Sequence, residues 1–305
     1  MRRIAGFAVA LVVVAGVAVG LALGHAAPKA GKPARPSVIS SARVGKASTA
    51  RTYSIKVAGL KRRYEVITPT RGLPKSAPVI VFLSGIGVSA SREITRDELV
   101  PYSDAGKAEL VYPVAVDNSW NADGCCGKAA SHKVNDLAFI KAVMAWVDPG
   151  HKRPGYLAGY SNGARMAYRV ACTDPGLFDG YAAAKGDPTR GCVLRKPVTI
   201  MQIASVNDPE VPYKPRDKGS SGEKPQTTLV FHVHAADKCP AKSTVTHSGT
   251  LTLTIWSGCG NGTRLAFAVW SVGVHSFPRT PVSKPTASQV IWAFFTKTAL
   301  APLPA

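Results

Sequence analysis

The sequence predicts an α/β protein built on a mostly parallel, doubly wound sheet flanked by helices. Three observations carry that prediction. Apolar strand-like runs alternate with segments of helical spacing through the middle of the chain. The run Pro78-Val79-Ile80-Val81-Phe82-Leu83 is continuously apolar, the pattern of a strand buried on both faces. Finally, Tyr156-Leu157-Ala158 passes through Gly159-Tyr160-Ser161-Asn162-Gly163 into the helix-like run Ala164 to Ala171, so that one serine stands at a sharp strand-to-helix corner between glycines.

Taken in order, residues 1–27 open with Arg2-Arg3 and an apolar and glycine run from Ile4 to Leu23, followed by small residues up to Ala27. This predicts a secretory signal peptide, or an N-terminal anchor if uncut; either way the rest of the chain is exported. Residues 28–50 are rich in Ala, Lys, Pro, Ser and Gly, which predicts a basic flexible linker. Residues 51–305 then form one domain. Thr52 to Val57 and Arg62 to Thr68 alternate like two strands joined by a turn at Ala58-Gly59. The buried strand ends in Ser84-Gly85-Ile86-Gly87, a glycine loop at the carboxyl end of a strand, where such sheets bind ligands. Further strands are expected over Glu109 to Val114, Gly180 to Ala184, Pro197 to Ala204, Ser243 to His247, Leu251 to Trp256 and Leu265 to Trp270, with helices over Val134 to Val147 and Ala287 to Thr298. Thr227 to Asp237 is ambiguous: its β-branched content favours strand, while the succession of elements calls for a helix.

The formal charge of +20 raises nucleic-acid binding. The basic residues are scattered, as in Lys61-Arg62-Arg63, Lys214-Pro215-Arg216 and Lys218, without aromatic interleaving or a recognised motif, so a solvated basic surface near anionic envelope or wall polymers is expected and no specific nucleic-acid partner. Membrane contact is expected only through the N-terminal segment. The six cysteines are an even set in an exported chain and lack metal-ligand spacing, so they predict disulfides and no metal site. Cys239 and Cys259 bracket a hairpin and are expected to pair. The neighbours Cys125 and Cys126 are expected to reach distant partners instead.

The chemistry is expected to converge from four loops. Ser161 at the corner is the candidate nucleophile, and the backbone N–H of Asn162, at the positive end of the following helix, points where an oxyanion would form. The glycine loop offers a second N–H, from Ile86. Asp208, on the loop after the Pro197 strand, is the candidate acid, with Glu210 as the fallback; Asn207 is neutral and cannot serve. His275, between the last strand and the last helix, is the candidate base, whereas His232, His234 and His247 read as framework residues. Trp120 is a candidate wall of the substrate pocket.

These residues resemble the feruloyl esterase and polyhydroxybutyrate depolymerase type of carbohydrate-esterase family 1, within the α/β-hydrolase fold. The resemblance covers about Thr52 to Phe295. It rests on Tyr112-Pro113, Ser119-Trp120-Asn121-Ala122 with Cys125-Cys126-Gly127, Asn135-Asp136 with Phe139-Ile140, Ser161-Asn162-Gly163 with Met166-Ala167-Tyr168-Arg169, Asp208-Pro209 with Val211-Pro212-Tyr213, and Trp256 with Cys259-Gly260. The chain departs from the family at Ser84-Gly85 and at Ala204-Ser205, each in place of His-Gly, and at Ser276-Phe277-Pro278 in place of Thr-Trp-Pro. The resemblance implies cofactor-free ester hydrolysis through an acyl-enzyme, on feruloyl or acetyl esters of plant cell wall or on polyhydroxyalkanoate. The alternative is a catalytically inactive hydrolase-fold module that binds cell-wall or other anionic polymer.

Overall fold

The computed structural model of the chain describes residues 35–189, 191–215 and 225–304; the predicted signal segment, the first part of the linker, Arg216 and Lys218 lie outside them. The strands are β1 (Ser37–Val44), β2 (Ser48–Val57), β3 (Leu60–Pro69), β4 (Val79–Leu83), β5 (Glu109–Pro113), β6 (Gly155–Tyr160), β7 (Gly180–Ala184), β8 (Ile200–Ser205), β9 (Thr244–Ser248), β10 (Leu251–Ser257) and β11 (Arg264–Trp270). The helices are α1 (Ala90–Ile94), α2 (Val100–Asp104), α3 (Gly127–Ser131), α4 (Asp136–Val147), α5 (Asn162–Thr173), α6 (Gln226–Ala236) and α7 (Ala287–Thr296).

The eleven strands of the described residues join one sheet in the order β1-β2-β3-β5-β4-β6-β7-β8-β11-β10-β9. From β5 to β11 the neighbours run parallel, and the outer strands on both sides are antiparallel. The chain leaves β4 toward β5 on one side and returns to β6 on the other, so the order reverses at β4/β6 and opens a crevice at the carboxyl ends of those strands.

Two cores follow from the alternation of side chains along the central strands. Val79, Val81 and Leu83 face α4, α5 and α6 through Phe139, Ile140, Met166, Leu229 and Val233. Ile80 and Phe82 face the opposite layer through Ile94, Leu99, Tyr102, Ile291 and Phe294. This is why β4 reads as an unbroken apolar run. Strand β7, Gly-Tyr-Ala-Ala-Ala, is wholly buried.

The ambiguous segment is helix α6. Leu229, Val230 and Val233 lie on its buried side, so packing on the sheet outweighs the β-propensity of its Thr and Val residues. The linker expected over 28–50 is corrected at its far end: β1 and the start of β2 occupy residues 37–50. Strand β1 is held by its backbone ladder to β2 and leaves almost every side chain exposed, so its composition carries no sign of order. The turn behind it is anchored by Lys46 and Ala47, whose N–H groups donate to the Asp104 carboxylate at 2.7 and 2.9 Å. Cys239 pairs with Cys259 across the base of the β9–β10 hairpin, and Cys172 pairs with Cys192. Cys125 and Cys126 pair with each other, against expectation; the peptide bond joining them is cis and brings their Cα atoms to 3.0 Å. Among the described residues no helix is long and apolar enough to cross a membrane.

Candidate active site

Ser161 stands between β6 and α5 with φ 52° and ψ −117°, a backbone conformation that L-residues adopt only where the surroundings enforce it. The flanking glycines show what enforces it. A Cβ on Gly159 would lie 2.4 Å from the carbonyl oxygen of Gly163, and a Cβ on Gly163 would lie 2.1 Å from that of Leu83. The start of α5 is therefore pressed against β6 and β4 as closely as backbone allows, and the serine is lifted to the sheet edge.

Three side chains far apart in sequence meet there. The Nε2 of His275 lies 2.9 Å from Ser161 Oγ, and its Nδ1 lies 3.0 and 3.1 Å from the two carboxylate oxygens of Asp208. Asp208 Oδ1 also accepts from the N–H groups of Glu210 and Val211, each at 2.9 Å. Burial raises the Asp208 carboxyl, but the hydrogen bond from His275, the N–H of Val211, the His275 charge and the N–H of Glu210 outweigh it and hold the group below the ordinary aspartate value. The side chain of Asp208 is fully buried and that of His275 is 8% exposed. Such a chain can draw a proton from the hydroxyl to the imidazole while the carboxylate fixes the ring's tautomer.

Glu210, the fallback acid, does not take the Asp208 position. Its Oε2 lies 3.4 Å from Nε2 of His275, on the serine side of the ring, and its side chain is largely exposed. His234 bonds to the Pro240 carbonyl and packs on Trp256, and His247 bonds to Thr252, both as framework residues. His232 lies beside Phe231 on α6.

The glycine loop after β4 lies beside the serine. A Cβ on Gly85 would lie 2.8 Å from the Tyr160 ring and 3.5 Å from the Ser161 Cβ. The Gly85 N–H donates to the Glu93 carboxylate and the Gly87 N–H to the Asn118 carbonyl, which brackets Ile86, itself half exposed. Asn162 opens α5, and its side chain is committed elsewhere: Oδ1 accepts from Trp120 N–H at 2.7 Å and Nδ2 donates to Trp120 O at 3.0 Å.

That bond helps explain a correction. Trp120, expected to line the pocket, is wholly buried, and its indole N–H donates to the Ser84 carbonyl at 3.0 Å. It braces the elbow and the glycine loop from behind, with no face on an open cleft. Asn121, next to it, donates its N–H to Asp136, whose other oxygen takes Arg62 in a buried ion pair.

One group at the site escapes sequence reasoning. Lys185, directly after β7, is fully buried, donates to Ser205 Oγ at 2.6 Å and to the carbonyl of Val274, and sits 3.9 Å from Asp208 Oδ2. Burial lowers its ammonium to about 8 against the pull of Asp208. The one available hint was a lone lysine closing an otherwise apolar strand at the ligand edge of the sheet. Tyr160 also donates, to the carbonyl of His275 at 2.8 Å, so the histidine loop is gripped at two consecutive carbonyls.

This sheet order, with a serine elbow after β6, an acid after β8 and a histidine after β11, defines the α/β-hydrolase fold. No family model matches the chain. The chain is 29% identical over 249 residues to the protein named "Putative esterase NocK" of Nocardia uniformis subsp. tsuyamanensis, covering 74% of this chain and 71% of that one. It is 25% identical over 195 residues to feruloyl esterase C of Emericella nidulans, covering 62% and 65%. Among solved structures it is similar in fold to an acetyl xylan esterase from Aspergillus awamori, with a TM-score of 0.55, 13% identity, and coverage of 77% of this chain and 94% of that one. The relatives are esterases by name and accord with the resemblance drawn from the sequence motifs.

Proposed function

We propose that the chain is a secreted serine carboxylic-ester hydrolase that works through an acyl-enzyme. Its substrates are esters borne on polymers, either feruloyl or acetyl esters of plant cell-wall polysaccharide, as the relatives' names suggest, or polyhydroxyalkanoate. The observation that carries this reading is the unbroken line from Ser161 Oγ through His275 to the Asp208 carboxylate at the sheet crevice. Three disulfides support an oxidising compartment outside the cytoplasm.

In this reading His275 Nε2 takes the Ser161 proton as Oγ attacks the ester carbonyl, and Asp208 stabilises the imidazolium. The N–H groups of Asn162 and Ile86 receive the oxyanion, helped by the positive end of α5. Collapse of the tetrahedral intermediate breaks the bond to the alcohol, which leaves with the proton from the imidazolium. Water then gives its proton to His275 and attacks the acyl carbon, and the acid departs as Ser161 recovers its hydrogen. The serine is activated by a base, so these steps call on no cofactor.

The test is a panel of p-nitrophenyl esters, feruloylated sugar, acetylated xylan and hydroxybutyrate oligomers, run with wild type and Ser161→Ala. Wild type is expected to hydrolyse members of the panel, and folded Ser161→Ala to lose at least about three orders of magnitude in turnover. Folded wild type that cleaves none of them and does not label with a fluorophosphonate would instead support a polymer-binding module.

A further inference from the structure

The serine, histidine and aspartate account for the proton path, but not for the cation buried behind it. Lys185 has no exposed surface, although an ammonium is costly to bury and belongs inside only where its donors are taken up. Its backbone has φ 53°, a region that favours glycine, and its own N–H is fixed to the Ile203 carbonyl at 2.9 Å. A lysine held in that conformation and placed in the core is stabilised through its head group. The head group reaches three segments at once: Ser205 at the end of β8, Asp208 on the acid loop and Val274 on the histidine loop. Ser205 belongs to one of the pairs at which the sequence departs from the family it resembles, and its hydroxyl is what Lys185 grips.

We propose that Lys185 is a positioning residue of this site: its ammonium pins the histidine loop through the Val274 carbonyl and, standing beside Asp208, balances the carboxylate that faces the imidazole, so that the base stays aimed at the serine hydroxyl. The inference rests on the esterase reading above. The groups facing His275 are Asp208 and Glu210 from the loop after β8 and Tyr160 from β6, while Lys185 from the end of β7 stands beside Asp208 at 3.9 Å. Two are carboxylates, Tyr160 holds the backbone carbonyl of His275, and Lys185 is a cation set against the buried one.

The experiment compares wild type with Lys185→Gln, which keeps a donor but no charge, Lys185→Met, which keeps neither, and Lys185→Arg, which keeps both. Loss of the cation is expected to move the acid limb of the kcat/KM profile upward by about one pH unit, the size expected for one charge a few ångströms away in a partly screened site. It should lower kcat about 10- to 100-fold with KM nearly unchanged, since a displaced base affects the reaction step more than binding. Lys185→Arg should hold the acid limb in place. A second readout needs no substrate: the low-field proton resonance of the His275–Asp208 hydrogen bond should broaden or disappear in Lys185→Met and persist in Ser161→Ala. Absent ester hydrolysis with a Lys185-dependent resonance would sink the esterase reading and leave the positioning role standing. Folded Lys185→Gln that keeps the wild-type kcat, acid limb and resonance overturns the positioning role.

Discussion

The α-carbon of Gly163 lies so close to the main chain of Leu83 that an added methyl would sit 2.1 Å from its carbonyl oxygen. Helix α5 thus rests on strand β4 without an intervening side chain, and that contact fixes the height of Ser161 above the sheet. Gly163→Ala is expected to push the helix outward and cost several kcal/mol, in the manner of overpacking against a backbone that cannot yield. Thermal melting checks the stability loss; any variant that still folds should have lost most of its ester turnover, because the serine moves with the helix.

Much of the candidate site was legible because each of the three side chains that meet there sits in a locally punctuated stretch. Ser161 lies between two glycines at a change of periodicity, Asp208 follows an apolar strand and precedes a proline, and His275 follows the last strand behind Gly273. Other features leave no such mark. Strand β1 is ordered by backbone bonds that any residues could make. Trp120 sits in a polar loop and reads as a pocket wall, yet folding tucks it beneath the elbow. Lys185 follows three alanines, and its partners come from segments 20 and 89 residues away, so only the assembled sheet reveals what it touches.

The ion pair of Arg62 with Asp136 lies wholly inside the protein, 2.8 Å apart, with the guanidinium 4.0 Å above the Phe139 ring. Asp136 also anchors the loop of Trp120 through Asn121. Arg62→Met leaves a buried carboxylate with its cation removed and is expected to cost about 3–5 kcal/mol. Denaturant unfolding measures it. Restoring the balance with Asp136→Asn in the same chain should recover part of the loss, and an additive double variant would show that the two groups do not act as a pair.

Glu93 sits under the glycine loop, almost without exposed surface. Burial pushes its carboxyl up to about 7, against the charge of Arg96, the Gly85 N–H and the charge of Arg279. Because this folded value lies above the unfolded one, the group's stabilisation is complete below about pH 4.5 and is lost as pH rises through 7. Stability should therefore decline between pH 5 and 8 by this group's share, on the order of 3 kcal/mol at most, and melting temperature should fall with it. Glu93→Gln should lessen that decline and leave the part due to Asp237, whose carboxyl burial also pushes up to about 7. Asp208, whose carboxyl is depressed, acts in the opposite sense and only at lower pH, so it leaves this window untouched. A melting profile of equal slope in wild type and variant would remove Glu93 from the account.

Two carboxylates approach the imidazole of His275 from opposite sides, and they should differ sharply on mutation. Asp208 is buried, takes the Nδ1 side and is itself held by two backbone N–H groups; in the proposed mechanism it is the group that orients the ring. Asp208→Asn presents an amide there, lets the ring adopt the wrong tautomer and is expected to lower kcat by about three to four orders of magnitude near neutral pH. Glu210 stands on the serine side at 3.4 Å with its side chain 67% exposed, where solvent weakens its hold. Glu210→Gln should change kcat less than about tenfold, and it should move the acid limb of kcat/KM downward, since one negative charge that favours imidazolium is gone. Steady-state kinetics of both variants across pH 5–9 decide the matter. If Glu210→Gln were the crippled enzyme and Asp208→Asn the active one, the carboxylate on the Nδ1 side would not be the group that orients the base.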